Sequence, residues 1–175
     1  MSKRKFECEL SSQSIKGLIR EITEYNQSLN QKIELFTKRV AEKVAADARG
    51  GFAGAISEDL LEDHDPSVPD VTVTVESDGN LALVIAHGEA AVWCEFGAGV
   101  YHNGSPGASP HPKGAELGFT IGGFGKGNGT KAVWGFYDEN RELHLTHGTP
   151  ASMPMYKALV RVCDDISSIA REVFG

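Results

Sequence analysis

Apolar positions in this chain follow three rhythms, and each predicts a different element. Over residues 12–49, Ile15, Leu18, Ile19, Ile22, Tyr25, Leu29, Ile33, Phe36, Val40 and Val44 recur three or four residues apart. That spacing places them on one face of a helix. Asn26, Ser28 and Asn30 interrupt the middle. Such side chains compete for backbone hydrogen bonds, so a kink or a pair of consecutive helices is expected there. Gly50-Gly51 is expected to end the element, with an acidic, proline-containing linker over residues 52–70.

Strict alternation comes next. Val71-Thr72-Val73-Thr74-Val75 is β-branched throughout, Asp78-Gly79 offers a tight turn, and Leu81 to Ala86 returns as a second strand. The near-continuous apolarity of that return predicts a central strand covered on both faces. Glu89 to Phe96 suits a short helix. Lys131 to Tyr137 and Leu143 to Thr146 read as a second hairpin about the turn Asp138 to Arg141. Thr149-Pro150-Ala151-Ser152-Met153-Pro154 has the composition of a helix start, with Ser or Thr as cap and proline tolerated in the first turn. Met155, Leu159, Val162, Ile166, Ile169 and Val173 then form an amphipathic stripe to the C-terminus. Helices and strands segregate along the chain, which predicts an α+β fold. The expected architecture is a four-stranded antiparallel sheet of two hairpins, flanked by an N-terminal helical segment and a C-terminal helix.

Between the hairpins the rhythm disappears. Gly97 to Thr130 holds 11 of the 20 glycines together with Pro106, Pro110 and Pro112. So long a connection is usually functional or disordered. The chain of 175 residues therefore reads as a single domain over 1–175, with an N-terminal tail over 1–11 and a loop excursion over 98–130. No apolar run reaches the ~18 residues of a membrane span, and no signal-type stretch follows the basic N-terminus, so the product is expected to stay in the cell that makes it. The net charge of −7 is uneven: residues 1–49 carry 10 Lys/Arg against 7 Asp/Glu, and the remainder 7 against 17. This argues against a nucleic-acid groove in the body. Cys8, Cys94 and Cys163 are odd in number and widely spaced, as expected of small buried thiols in a reducing compartment.

Candidate chemistry is sparse. His102, His111, His144 and His147 lack the spacing of a zinc site, and His144 and His147 point to opposite faces of a strand. Cys94 sits between Trp93 and Phe96, an apolar setting unsuited to a nucleophilic thiolate. Gly122 to Lys131 imitates a phosphate loop, but Lys126 precedes Gly127 and a strand comes after, so a mobile arm is expected. Glu95 is expected to be partly buried and to accept N–H groups of the glycine turn after it. No metal, cofactor or catalytic residue is assigned on these grounds. The alternative is a small hydrolase, zinc-dependent or not, built from Glu95 and loop histidines.

Val92-Trp93-Cys94-Glu95-Phe96-Gly97-Ala98-Gly99 resembles the (V/Y)-x-x-E-(F/Y)-G-(T/A)-G signature of the minor tail-component proteins of long-tailed bacteriophages. These are also called head–tail joining, tail-completion or neck proteins. Thr149 to Met155 resembles that family's small, proline-rich start to the last helix, and Phe36 to Glu42 resembles part of its first helix. The likeness covers residues 30–175. The insertion His102 to Lys131 is longer than in the simplest members. Glu95, Phe96, Gly97, Gly99, Pro150 and Pro154 are the motif residues. The resemblance implies no enzyme but a virion structural protein of a phage or prophage, made in the host cytoplasm and then built into the neck or upper tail. It would assemble as a homo-oligomeric, sixfold ring against connector, tail-terminator or tail-tube subunits, with DNA only as passing cargo and no membrane contact. Tyr101, Phe119, Phe124 and Trp134 are expected as interface anchors because aromatics dominate such contacts. An acidic body would line a channel through which DNA slides.

Overall fold

The computed structural model describes residues 5–58, 71–97, 101–102, 105–106, 109–119, 134–137, 140–146 and 151–175. Its frame is one long helix, α1 (Ser12–Glu58), of 47 residues and about 70 Å. It is one continuous helix through Asn26 to Asn30 and past Gly50-Gly51, where the sequence predicts a kink or a second helix and then a stop. Asn26, Ser28 and Asn30 are exposed and cost only tenths of a kcal/mol each in propensity. The two glycines are overruled by their neighbour Phe52, which is 2% exposed and anchors the last turns in the core.

Two elements lie on the C-terminal half of α1. The first is the antiparallel hairpin β1 (Thr72–Asp78) and β2 (Leu81–His87), in register from Thr72↔His87 to Asp78↔Leu81. Its two-residue loop is Gly79-Asn80, one step later than the expected turn, with positive φ at Gly79. Val73 packs into the core, with Val75, Val84 and Ala86 half-buried against it. The open edge of β1 is closed by Arg49, whose Nε and Nη2 both donate to the Val73 carbonyl at 3.1 and 2.7 Å. On the other face Leu81 and Leu83 are 62% and 50% exposed, so β2 is not a strand covered on both sides.

The second is α3 (Pro154–Phe174), which runs antiparallel to α1. An ideal Cβ on Gly51 would lie 2.9 Å from the Pro154 Cβ. Further along, Lys43 pairs with Asp165 at 3.4 Å, and Phe36 meets Phe174 with ring centroids 5.7 Å apart. Ala45 and Ala48 of α1 and Ala158 of α3 are at most 1% exposed, and such small side chains let two helices approach closely. The α3 face that packs is therefore Ala158, Val162, Ile169 and Val173, whereas Leu159 and Ile166 of the expected stripe are 52% and 40% exposed.

The short helix α2 (Glu89–Phe96) follows β2 as expected. Three further strand pieces are β3 (Tyr101–His102), β4 (Ser105–Pro106) and β5 (Trp134–Tyr137), and β5 pairs with β6 (Leu143–Thr146). The fold is mixed helix and strand with antiparallel ladders. Among the described residues the ladders are three separate two-stranded pairs, β1–β2, β3–β4 and β5–β6, and no four-stranded sheet joins them. No helix among the described residues is long and apolar enough to cross a membrane.

The two glycines of α1 separate propensity from packing. Gly50 has nothing within 4 Å of an added Cβ, whereas Gly51 abuts a rigid proline ring. Gly50→Ala is expected to raise stability by about 0.5–1 kcal/mol. Gly51→Ala is expected to lower it by about 1–3 kcal/mol through overpacking. Urea denaturation of both variants checks this, and equal shifts would refute the close approach.

Candidate functional site

The motif segment and the start of α3 meet at one joint. Gly97 ends α2 with φ 77°, a conformation that suits glycine, and its N–H donates to the Trp93 carbonyl at 2.7 Å. This turn leaves Cys94 and Glu95 facing residues 152–156. The Cys94 carbonyl accepts the N–H groups of Ser152 and Met153 at 2.9 and 3.2 Å, and the Ser152 hydroxyl at 3.0 Å. The Glu95 carboxylate accepts Met155 N–H on Oε2 at 2.8 Å and Tyr156 N–H on Oε1 at 2.9 Å. Pro154 has no N–H, so two consecutive residues take every backbone donor from 152 to 156. The first bond of α3 then forms from Lys157 N–H to the Met153 carbonyl at 2.9 Å.

Glu95 thus caps α3 from another element. A helix N-terminus presents unsatisfied N–H groups and the positive end of the dipole, so a carboxylate there gains charge-assisted hydrogen bonds. The expected Ser or Thr cap is absent: the cap position is Met153, at φ 55° and ψ 50°, and makes no side-chain cap bond. Glu95 is 7% exposed, as the sequence suggests, and the partners described for it lie some 60 residues downstream; from Ala98 on, the glycine turn expected to supply them lies outside the described residues.

His111 completes the joint. It is 8% exposed, and its Nε2 lies 3.2 Å from Glu95 Oε1. Lys113 N–H donates to Nδ1 at 3.0 Å. With Nδ1 accepting, the neutral Nε2–H tautomer follows from the network, and both ring nitrogens are satisfied. The ring also contacts Phe96 at 4.4 Å and Tyr156 at 5.3 Å between centroids. His111 belongs to a closed turn over residues 109–119, tied at its ends by Ser109 N–H to the Phe119 carbonyl at 3.0 Å. This part of the glycine-rich excursion is docked on α2, while the segment over 122–131, expected as a mobile arm, lies outside the described residues.

Phe119, expected as an interface anchor, is 5% exposed and stacks on Phe96 at 4.4 Å, with Trp93 at its edge at 6.3 Å. It serves the protomer's own core. Tyr101 lies in β3 and Trp134 in β5. Phe124, Gly99, Pro150 and the phosphate-loop mimic over 122–131 lie outside the described residues, as does His147. Cys94 is buried as expected, but Cys8 and Cys163 are exposed. Of the four candidate histidines His111 is the one whose side chain is described, and it lies beside Glu95; no group of three or more His, Cys, Asp or Glu among the described residues is arranged to hold a metal ion. The joint had one sequence signal, a glutamate in an apolar run before a glycine, and nothing in its neighbourhood named the partner.

Comparison with protein-family models, curated proteins and solved structures gives no match to this chain.

Because two N–H groups depend on one carboxylate, Glu95→Ala is expected to cost about 2–6 kcal/mol, since each buried orphan donor costs about 1–3 kcal/mol. Glu95→Gln keeps one acceptor and turns an amide N–H₂ toward a donor, so a loss of about 1–3 kcal/mol is expected. Thermal and urea unfolding measure both. Two neutral substitutions would refute the capping role.

Proposed function

We propose that this chain is a virion structural protein of a phage or prophage, acting at the head–tail junction or upper tail by protein–protein assembly. The observation that carries the reading is the joint itself. The two segments that resemble the tail-component family, Trp93 to Gly97 and Ala151 to Met155, lie far apart in sequence yet form one hydrogen-bonded unit. That is what a pair of landmarks kept for a shared fold would do. The polar groups of the unit are consumed by structural bonds, which favours a role through surfaces over a role through chemistry.

In this reading β1–β2 and β5–β6 belong to one four-stranded antiparallel sheet, and copies assemble as a sixfold ring against connector, tail-terminator or tail-tube subunits. Ring contacts are heterologous and close by rotation. The protein assembles in the host cytoplasm and ends in the virion, with DNA as passing cargo. The hydrolase alternative draws on the contact of Glu95 with His111. It is weakened because Glu95 already serves two N–H groups and His111 has a partner at each nitrogen.

Native mass spectrometry over a concentration series, paired with negative-stain electron microscopy, tests the reading. Metal-free multiples of the 18.8 kDa chain ending in a closed ring are expected. A monomer at every concentration, carrying one stoichiometric zinc and a turnover lost in Glu95→Gln, would move the assignment to the hydrolase.

A further inference from the structure

Two helix faces of this molecule keep a large part of their apolar side chains exposed, and they match. The first is the N-terminal half of α1. None of its residues before Ala41 is buried, and Ile15, Ile19 and Ile22 are 42%, 58% and 39% exposed. Ile15, Leu18, Ile22, Tyr25 and Leu29 follow one another at steps of three, four, three and four. The second is the outer face of α3. Tyr156, Leu159, Cys163, Ile166 and Ala170 repeat the same steps, with Tyr156, Leu159 and Ile166 37%, 52% and 40% exposed. This row is turned about 100° from the row that packs on α1, at 100° per residue. Steps of three and four are the seam of a helix that meets another helix.

The faces cannot meet within one chain. α1 is a single continuous helix, and α3 lies along its other half, ending where Phe174 reaches Phe36. Phe6 of the N-terminal segment folds back onto Tyr25 at 5.8 Å and leaves Ile15, Ile19 and Ile22 exposed. Each row of five residues spans about 21 Å of helix. Neither row contains a charged residue, and Val160 and Ser167 beside the α3 row are uncharged as well.

We propose that the α1 arm of one copy docks along the outer face of α3 in the next copy. Because face and counter-face sit on the same chain, each contact leaves one of each free, the heterologous geometry that closes into a ring or extends as a filament. The proposal rests on the self-assembly part of the proposed function and names the surfaces for it. A strip about 21 Å by 10 Å, the length of the rows and the width of a helix, is a few hundred Å². A stable pair buries about 800 Å² per partner, so a single contact is weak and assembly depends on concentration and on closure.

Ile22 and Cys163 are the central residues of their rows and face each other whether the helices run parallel or antiparallel. Two variants test the contact, both carrying Cys8→Ser. One adds Ile22→Cys and Cys163→Ser, and the other keeps the native Cys163. With a short thiol–thiol cross-linker, covalent pairs joining positions 22 and 163 are expected in the mixture and in neither variant alone. Circular dichroism confirms that the arm remains helical. Leu159→Asp is expected to remove the multimers from the native mass spectrum, while Leu83→Asp, on an equally exposed leucine of the hairpin, leaves them. A 22–22 link in the first variant alone would overturn the proposal in favour of a symmetric arm pair. Multimers without any 22–163 link would overturn it while leaving self-assembly standing. A monomer across the whole series would overturn both.

Discussion

The start of α3 is held by two residues of another helix, and much of the molecule's arrangement depends on that grip. Cys94 and Glu95 together take the N–H groups of Ser152, Met153, Met155 and Tyr156. Burying a carboxylate is unfavourable unless it is fully paired, and here charge-assisted bonds and a helix dipole offset that cost. The grip fixes where α3 begins. That point, Pro154, is the one that abuts Gly51 of α1, so the α2–α3 joint and the α1–α3 packing share a residue. A shift at Glu95 would be transmitted to the helix interface through the proline ring. His111 braces the same carboxylate from the loop side, which links the turn over 109–119 to the helical body.

The chain's local rhythms were legible where neighbours in sequence are neighbours in space. The β1–β2 hairpin, α2, the Leu143 to Thr146 strand and the existence of α3 follow from alternation or from steps of three and four. Elsewhere local signals were overruled. At Asn26 to Asn30 and at Gly50-Gly51 the sequence contains helix-weakening residues worth tenths to about 1 kcal/mol each. At Gly50-Gly51 the burial of Phe52, worth about 1.5–3 kcal/mol, wins, and at Asn26 to Asn30 the helix propagates from turns already fixed further along. The partner of Glu95 was invisible because it lies 60 residues away, and no periodicity spans that distance.

α3 illustrates a subtler limit. Counting apolar positions selects Leu159 and Ile166 for the core, but the packed face is centred on Ala158 and Val162. Periodicity registers hydrophobicity and ignores size. Close helix approach selects small residues, so the alanines of α1 and α3 claim the interface and the larger side chains turn outward. The helix has two apolar faces, and a single stripe drawn through both describes neither.

Burial is accordingly one-sided, and this bears on the state of the arm. A helix of about 20 residues is marginal on its own in water because nucleation is costly. The α1 arm escapes that cost, since it propagates from turns already fixed by Phe52, Ala48 and Ala45. Propagation alone gains little per residue through Gly17, Asn26, Ser28 and Asn30, and exposed pairs such as Arg20–Glu24 at 3.7 Å add at most a few tenths of a kcal/mol. The arm is therefore helical by inheritance from the body, while its apolar row contributes nothing to the protomer's own core. A residue pattern of isoleucines and leucines at steps of three and four is not required to keep such an extension helical, because alanine, lysine and glutamate would do it better. The pattern is the surface that the proposed contact with a neighbouring copy would use.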